Sequence, residues 1–570
     1  MGSLYGYPYI TTIPTPNPST IMEFNYSYPG NSSISSNGDR TNMSFAPDVT
    51  RTPTFFRGEL RQNIAFREAI SALHDVVVSD LRFQPKDKTA YKEWAAQRNE
   101  IDWQLIASQR QVVTDRLREL DAEMIELRNR SSARSSEYYK SVRSYFDYLY
   151  QKDRDAWFVL DPVITVHPDE VFFECFSQDE SSYGRLGASY EVFKNVGDFA
   201  CGTTNVDYSA ALYDEFQKIR TYKSTVFEVD PSGFGVQTAG EVDYKEVKID
   251  LPDTWVRGFL QVNSAMSLPA VSFDLHPMDI YNLCFVLRRR KEKQGPRSMK
   301  YILKPGEPVR VIFEPWNLEV VCDRSFYHGN KPEEIRAWGR RRLLILERLI
   351  PVARKFTVHL LGTGLPSFYV ADLNDLSFTL GLSGWTANDW AKAGNFDLMA
   401  PRATVDDWTM QKVFAALQEN WVESPDDLAK RLKLDRSIVL GALSAYTQAG
   451  RAIYDLNKQV YRVRELTQEP LPLDRLRFAN DRESAASEFI TKKVVKIDSS
   501  SIDTSGTLHL AGTVKYRSQT YTPTVEIDRD ERLIAANCTC NWHQQNKLFK
   551  GPCEHILALR MQHQQALVRL

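Results

Sequence analysis

Three cysteines and one histidine near the carboxyl end constrain the fold of this chain more than any other feature. They stand as Cys538-Thr-Cys540, twelve intervening residues, and then Cys553-Glu-His555. Zinc favours four such ligands in tetrahedral geometry, and a site filled entirely by protein ligands is structural rather than catalytic. A disulfide between Cys538 and Cys540 would be strained. The spacing therefore predicts one structural Zn²⁺ bound by Cys538, Cys540, Cys553 and His555. The alternative is that all four are small core residues.

The flanking residues predict how these four side chains are positioned. Apolar residues alternate along 508–516 and again along 521–527, which is typical of a half-buried β-hairpin. Pro552 suits the first turn of a helix whose apolar face contains Ile556, Leu557 and Leu559. We therefore expect ligands from a strand end and a helix start, joined by a loop. His543 lies in that loop and is expected to face water, although it is also an alternative ligand.

This spacing, behind a hairpin and at the start of a helix, resembles the SWIM zinc finger. The resemblance implies that the four residues named above are zinc ligands. SWIM modules as a class are proposed to bind nucleic acid or protein, and they have no catalytic residues of their own.

A wider resemblance spans residues 155–565. It depends on the stretches Trp338-Gly-Arg-Arg-Arg-Leu343, Leu361-Gly-Thr-Gly-Leu-Pro-Ser-Phe368 and Phe378-Thr-Leu-Gly-Leu-Ser-Gly-Trp-Thr-Ala-Asn-Asp-Trp390. These look like bacterial long SWIM-type proteins of undefined activity, of a kind encoded near MoxR-type AAA ATPases and von Willebrand A-type proteins. The resemblance implies protein partners of those two kinds.

Composition indicates an ordinary soluble, multidomain protein. The 570 residues include 42% hydrophobic and 25% charged side chains, with a net charge of -2, which argues against a general nucleic-acid coat. Seven cysteines are few, and those outside the motif are scattered, as expected for a reducing, cytoplasmic compartment. No apolar run approaches the roughly 18 residues needed to cross a membrane, and residues 1–10 lack the pattern of a signal peptide.

The first 152 residues divide into a tail and a helical region. Residues 1–52 are rich in Pro, Ser, Asn and Gly, which predicts a disordered tail. Residues 53–152 are predicted to be helical, with a first apolar stripe over 57–84 that ends at Pro85. An apolar residue then recurs every seventh position at Ile106, Val113, Leu120 and Leu127. This seam closes a helical hairpin within the chain or, alternatively, a coiled coil with another chain.

Residues 153–400 predict a mixed α+β region of two subdomains, because short β-type runs alternate with Gly and Pro. Strands are expected at 163–166, 171–176, 226–229, 247–251, 259–262, 271–275, 309–314, 318–321, 356–361 and 377–380, and a helix at 334–349. Basic runs at 288–300 and 336–355 form a phosphate-contacting stripe or, as we favour, a face paired with acidic neighbours. The glycines of 361–367 predict a tight turn between strands.

Residues 401–468 read as a winged helix. Helices are expected from Trp408, after the cap Ser424, and over 436–449, followed by a wing at 452–456 and 460–463. The third helix is expected to expose Arg436, Ser437, Ser444, Thr447 and Gln448. Ten basic and nine acidic residues between 402 and 465 give a net charge of +1, so this domain suits a protein partner at least as well as DNA. A linker, 469–487, leads to the zinc-finger domain, 488–570.

The expected fold is therefore multidomain α+β: an N-terminal helical hairpin or coiled coil, a central α+β region, a winged helix and a C-terminal SWIM-type ββα zinc finger. We find no catalytic motif. The predicted function is a non-enzymatic adaptor or recognition protein. A nucleic-acid-binding protein that uses the winged helix, basic runs and finger is the alternative, and an enzyme with an unrecognised pocket in residues 156–400 is a third hypothesis.

Overall fold

A computed structural model describes residues 33–37, 40–45, 54–79, 162–205, 216–217, 219–222, 224–229, 253–291, 297–384, 390, 395–401, 405–466 and 481–568. The chain divides into two units, Asp80–Val159 and the remainder, and all the described residues belong to the second. The predicted heptad seam at 106–127 and the predicted strand at 247–251 lie outside the described residues.

The strands are numbered in chain order. They are β1 Ser33–Asn37, β2 Arg40–Phe45, β3 Phe56–Leu60, β4 Val163–Val166, β5 Glu170–Phe176, β6 Ser182–Ser189, β7 Phe193–Lys194, β8 Gly202–Asn205, β9 Ser224–Val229, β10 Val271–Leu275, β11 Met299–Leu303, β12 Pro308–Phe313, β13 Leu318–Phe326, β14 Glu333–Ala337, β15 Lys355–Leu360, β16 Ser367–Asp372, β17 Leu376–Leu382, β18 Val422–Glu423, β19 Ala452–Asp455, β20 Val460–Val463, β21 Val495–Ile502, β22 Leu508–Tyr516, β23 Gln519–Tyr521, β24 Thr524–Ile527 and β25 Leu533–Asn537.

The helices are also numbered in chain order. They are α1 Asn63–Val77, α2 Asp253–Met266, α3 Pro277–Arg289, α4 Asp407–Asn420, α5 Pro425–Leu432, α6 Arg436–Gln448, α7 Asp481–Thr491, α8 Asn541–Asn546 and α9 Glu554–Val568, with 3-10 segments at Tyr190–Val192, Arg340–Leu349 and Phe396–Leu398. Within the described part of the chain, no helix combines the length and apolar character required to cross a bilayer.

The largest sheet has eight antiparallel strands in the order β10-β15-β16-β17-β6-β5-β4-β8. Every residue of β5 is buried, because the sheet is covered on both faces. A Cβ on Gly184 would lie 3.1 Å from Val76 of α1. On the opposite face, Phe176 lies 4.8 Å from Phe259 of α2. Double coverage accounts for the mainly apolar run at 171–176, in which the one charged residue, Glu174, is buried and accepts a hydrogen bond from the Tyr183 hydroxyl at 2.9 Å.

A second sheet, β13-β12-β11-β14, packs beside the first. Its strands β11 and β12 bury alternate residues, as a sheet with one solvated face does. The buried hydroxyls of Tyr301 in β11 and Tyr369 in β16 are hydrogen-bonded at 3.0 Å and join the two sheets. The described residues are therefore mixed α and β, with several antiparallel sheets.

The sheet β1-β2-β9-β3-β7 corrects two predictions about the amino-terminal region. Ser33–Asn37 and Arg40–Phe45 form a hairpin within the predicted tail, and β2 also pairs in parallel with β9, whose residues lie 184 positions further along the chain (Arg40 opposite Ser224). Phe56–Leu60 is a strand, so the first helix begins at Asn63 rather than at 57. Strands β2 and β3 both pair with the distant strand β9, and local composition does not reveal such long-range pairing.

Two other predictions in the central region were wrong. Residues 259–262 belong to α2 and not to a strand, and Phe259 and Val262 are both buried at helical spacing. The prediction failed because a short apolar run is compatible with either a buried helix or a strand. Residues 334–349 form β14 and then the 3-10 segment Arg340–Leu349. Gly339, with φ of 80°, breaks the chain direction between them.

Residues 405–466 contain α4, α5, α6 and the hairpin β19–β20 at the positions predicted, together with β18, which was not predicted and pairs with β20. Phe414 stacks on Tyr446 at 4.0 Å in their core. One prediction for this region was wrong: Ser444 and Thr447 of α6 are buried rather than exposed. The cause is tertiary, since both α6 and β19 pack against α2 of the central region.

Candidate metal centre

The C-terminal module (residues 481–568) provides the framework of the candidate site. Its antiparallel sheet has the order β21-β22-β24-β25, with β23 beside β22, and α9 lies against β21, β22 and β24. The hairpin and the helix agree with the prediction. Gly512 permits their close approach, because a Cβ there would lie 2.5 Å from Leu559 of α9. The module begins earlier than predicted: α7 starts at Asp481, inside the predicted linker, and packs against α9.

The four predicted ligands converge at one end of this module. Cys538 immediately follows β25, and Cys540 is the N-cap of α8. Cys553 directly precedes α9, and His555 lies in its first turn. Their ligand atoms all lie within 4.8 Å of one another, and all four residues are buried. The four side chains come from the end of a strand and the start of a helix, which are the positions that the sequence predicted.

This donor set fits a zinc ion. A tetrahedral site with Zn–S bonds of about 2.3 Å separates its ligand atoms by roughly 3.8 Å, which is compatible with the observed clustering. The buried Nδ1 of His555 has no hydrogen-bond partner among the described residues. Three sulfurs and one imidazole would also fill all four positions of a tetrahedral site, so no position is left for water. The group can hold a metal ion, and its chemistry is compatible with zinc.

The thiols perturb one another strongly. Contacts with Cys538 and Cys553 lower the pKa of Cys540. Contacts with Cys538 and Cys540 raise the pKa of Cys553, and a contact with Cys540 raises the pKa of Cys538 to about 11. Three thiols that share protons ionise unequally, whereas a divalent cation stabilises all of them as thiolates. Ion binding would therefore release protons, so affinity for the metal should fall in acid.

Neighbouring groups fix the orientation of the ligands. The His555 ring stacks on Phe489 at 5.4 Å and contacts Tyr521 at 4.0 Å. The backbone N–H of His543 donates to Cys540 Sγ at 3.3 Å. The Gln544 side chain donates to the carbonyl of Cys538 at 2.6 Å. Sequence reasoning did not identify Phe489 or Gln544, because nothing in their local pattern marks a contact with the site.

The intervening loop differs from the prediction in two respects. It contains the short helix α8, and His543 is buried in that helix rather than facing water. Burial lowers the pKa of His543. Arg482 of α7 also contacts this loop. Its guanidinium lies 3.8 Å from the centre of the Trp542 ring and donates a hydrogen bond to the carbonyl of Lys550 at 3.0 Å. His543 is not part of the four-residue cluster.

Comparisons with known proteins identify no family. No protein-family model matches the chain, and no curated protein matches it in sequence. Among solved structures, proliferating cellular nuclear antigen from Entamoeba histolytica matches at 8% identity and a TM-score of 0.32, over 58% of this chain and 98% of that chain. A TM-score this low does not establish a shared fold, so no property of that protein is transferred to this chain.

The predicted basic run 336–355 is largely neutralised within the fold. Arg340 and Arg342 are buried. Arg340 donates to the carbonyl of Ser298 at 2.5 Å, and Arg342 pairs with Asp179 at 2.7 Å. Burial alone would raise the pKa of Asp179, but the charge of Arg342 and hydrogen bonds from nearby serines lower it to about 2. Arg340 and Arg342 therefore contact acceptors within the chain, as expected for a basic face that is paired with neighbouring groups rather than one that binds phosphate.

Five other cations of the two predicted runs also have acidic partners, whereas Arg289, Arg290 and Lys291 form no ion pair among the described residues. Arg336 pairs with Glu314 at 2.8 Å, Arg348 with Asp75 at 3.1 Å, Lys355 with Asp274 at 2.8 Å, Lys300 with Glu334 at 3.0 Å and Arg288 with Glu347 at 2.6 Å. The glycine-rich stretch 361–367 joins β15 to β16 as a turn, as predicted. At these paired positions, a phosphate-contacting stripe would compete with ion pairs that are already formed.

Proposed function

We propose that the C-terminal module is a SWIM-type zinc module in which Cys538, Cys540, Cys553 and His555 bind one structural Zn²⁺. The supporting observation is the buried convergence of all four ligand atoms within 4.8 Å. Three thiolates and one imidazole leave no coordination position for water or substrate, so the ion stabilises the fold and performs no reaction. The chain as a whole then acts as a non-enzymatic adaptor for protein partners.

We also propose that residues 405–466 are a winged helix that contacts protein rather than DNA. In DNA-binding versions, the third helix enters the major groove. Here Ser444 and Thr447 of that helix are buried, and Arg436 pairs with Asp426 at 2.6 Å and with Asp530 at 2.9 Å. A helix that reads the major groove needs this face exposed and its cations unpaired. Because the two side chains are buried and Arg436 is paired within the chain, these contacts support an adaptor rather than a DNA-binding protein.

The proposed partners are a MoxR-type AAA ATPase or a von Willebrand A-type protein, and this choice depends only on the sequence resemblance. Affinity capture with the full-length chain, analysed for both polypeptide and nucleic acid, tests it. An adaptor should retain such a polypeptide after nuclease treatment. Stoichiometric nucleic acid without a protein partner would contradict the adaptor role.

Zinc content tests the module itself. The purified wild type should contain one zinc per chain by elemental analysis, and Cys553→Ala should contain almost none. Because the binding energy of a structural site is folding energy, on the order of 10 kcal/mol, the variant should also lose hydrogen-exchange protection in α9. Cys322→Ala is the matched control, since Cys322 is equally buried but lies in β13. Stoichiometric zinc in Cys553→Ala would show that the ligand is misassigned.

A second candidate function, nucleic-acid contact, is favoured by one surface of the module. The cations Lys492 and Arg517 lie over the ring of Tyr516 at 5.6 and 5.1 Å, and Lys493 and Lys515, adjacent in the sequence, are exposed. Cations around an aromatic ring suit a phosphate backbone with a stacked base. Binding to single-stranded DNA should then weaken steeply with salt and be lost in Arg517→Glu. Absence of binding at low salt would exclude this function.

A further inference from the structure

One helix, α3, has an apolar stripe on its solvent-facing side. Met278, Tyr281 and Phe285 are each 43% exposed and follow one another at spacings of three and four residues. The buried side of the same helix contains Ile280, Leu283 and Leu287, so α3 has two apolar faces. A surface helix that serves only its own core needs one such face. The second face therefore requires another explanation.

This stripe stands out from the rest of the described surface. Eleven large hydrophobic side chains are exposed among the described residues, and α3 holds three of them in a row. Their combined exposed area is on the order of 250 Å², which approaches the largest apolar patch of a typical monomer. Tyrosine, phenylalanine and methionine are also enriched where proteins bind one another. The composition and spacing fit a surface that receives a second helix.

The charge at the end of the stripe indicates the chemistry of the partner. Arg289 lies over the Phe285 ring at 4.1 Å and extends the stripe by one more turn. Arg290 and Lys291 follow and are exposed. Among the described residues, no carboxylate forms an ion pair with Arg289, Arg290 or Lys291, whereas the neighbouring Arg288 pairs with Glu347. A parallel second copy of α3 would bring like charges together, and an antiparallel copy would offer them no acidic partner, because Asp279 at the other end of α3 is buried; a self-pair is therefore disfavoured.

We propose that the Met278–Tyr281–Phe285 face of α3 is the docking surface for an amphipathic helix of a partner protein that has acidic residues in its first turns. Acidic residues at a helix N-terminus suit the helix dipole. Such a helix would place that end against Arg289–Lys291 and run antiparallel to α3. The stripe from Met278 to Arg289 covers about 17 Å, the length of three helical turns.

This inference names the partner chemistry for the proposed adaptor and depends on that role. It can nevertheless fail independently of the zinc module, because the two tests measure different parts of the chain. Zinc content concerns residues 538–555, whereas peptide binding concerns α3.

The test uses full-length protein and two synthetic helical peptides. Both share a leucine seam, and they differ only in having glutamate or lysine in the first two turns. Fluorescence anisotropy should show binding of the glutamate peptide and at least tenfold weaker binding of the lysine peptide. The double variant Tyr281→Ser/Phe285→Ser should bind the glutamate peptide about tenfold or more weakly, as expected for removal of aromatic anchors. Arg289→Glu/Arg290→Glu should reverse the preference between the two peptides.

The chain provides a matched control in Trp408. This residue is 69% exposed on α4, and Lys412 lies over its ring at 5.3 Å, so it reproduces a cation-capped exposed aromatic elsewhere. Trp408→Ser should leave peptide affinity unchanged. Equal binding of the two peptides, or unchanged affinity in the Tyr281→Ser/Phe285→Ser variant, would overturn the proposal. Self-association of the wild type that disappears in Phe285→Ser would assign the face to a second copy and would also overturn it.

Discussion

Replacing Arg462 by methionine tests whether a buried ion network holds the winged-helix-like region against the central sheet. Arg462 is fully buried and pairs with Asp169 at 2.7 Å, Asp455 at 2.9 Å and Glu170 at 3.3 Å. Arg185 of the central sheet joins the same carboxylates from the other side. The network therefore bridges β20 and the β5–β6 hairpin.

The magnitude follows from burial. Asp455 is 2% exposed, and burial alone would raise its pKa, yet the charges of Arg185 and Arg462 hold it below its usual value. Without Arg462, a buried negative charge would be left without its closest partner. Removing one partner of a buried pair costs about 3–5 kcal/mol. Adding Asp455→Asn should restore about 1–3 kcal/mol, since asparagine keeps the oxygen that accepts from the backbone N–H of Asn457.

Native-state hydrogen exchange of the β19 and β20 amides measures the opening free energy of this region directly. Arg462→Met should lower it by the amount given above. Arg431→Met is the matched control, because Arg431 is about one-third exposed and pairs with Glu419 and Glu423 near the surface; it should change the value by at most about 1 kcal/mol. Equal effects of the two substitutions would refute the assignment of docking energy to the buried network.

Three further predictions concern groups elsewhere in the fold. Burial lowers the pKa of His359 to about 4, so its contribution to stability is complete above about pH 6.5 and is lost as the pH falls towards 4. In urea titrations, the wild type should lose about 3 kcal/mol more than His359→Gln over that range. The pKa of Asp179 is about 2, so its contribution is present above about pH 4 and lost on approaching pH 2. Asp179→Asn should lack that loss of about 2 kcal/mol. Gly364→Ala would place a Cβ 2.6 Å from the Phe549 ring, whereas Gly306 has the same φ of 78° and open space. By thermal unfolding, Gly364→Ala should therefore be the more destabilising of the two, by about 1–2 kcal/mol.

The candidate site was predictable because its chemistry is local. Cys538 and Cys540 are separated by one residue, as are Cys553 and His555, so only the fold of the twelve-residue loop had to be inferred. The burial of His543 was not predictable, because it depends on α8 packing beneath the rest of the module. The four candidate ligands can be recognised from a short stretch of sequence, whereas the residues that orient them come from the whole module.

The strands of the central region also divide into those that local sequence predicts and those that depend on tertiary contacts. Runs such as 271–275 and 163–166 were predicted with correct bounds because they are short and bounded by prolines, the first alternating apolar with polar residues and the second wholly β-branched. β6 was missed, since its sequence Ser-Tyr-Gly-Arg-Leu-Gly-Ala-Ser contains two glycines and an arginine. Those residues fit only because α1 approaches Gly184 and because Arg185 enters the buried network. Tertiary neighbours, and not propensity, make this segment a strand.

The helices α6 and α3 illustrate why surface function is harder to infer than fold. On α6 the outward positions are polar, which suggested an exposed recognition face, yet Ser444 and Thr447 are buried against the chain itself. On α3, a helix that was not predicted from the sequence, the outward residues Tyr281 and Phe285 are apolar and exposed. A helical pattern gives the direction of each side chain but not what lies opposite. The docking of residues 405–466 onto α2 therefore removes one candidate recognition face, and the second apolar face of α3 remains available to a partner.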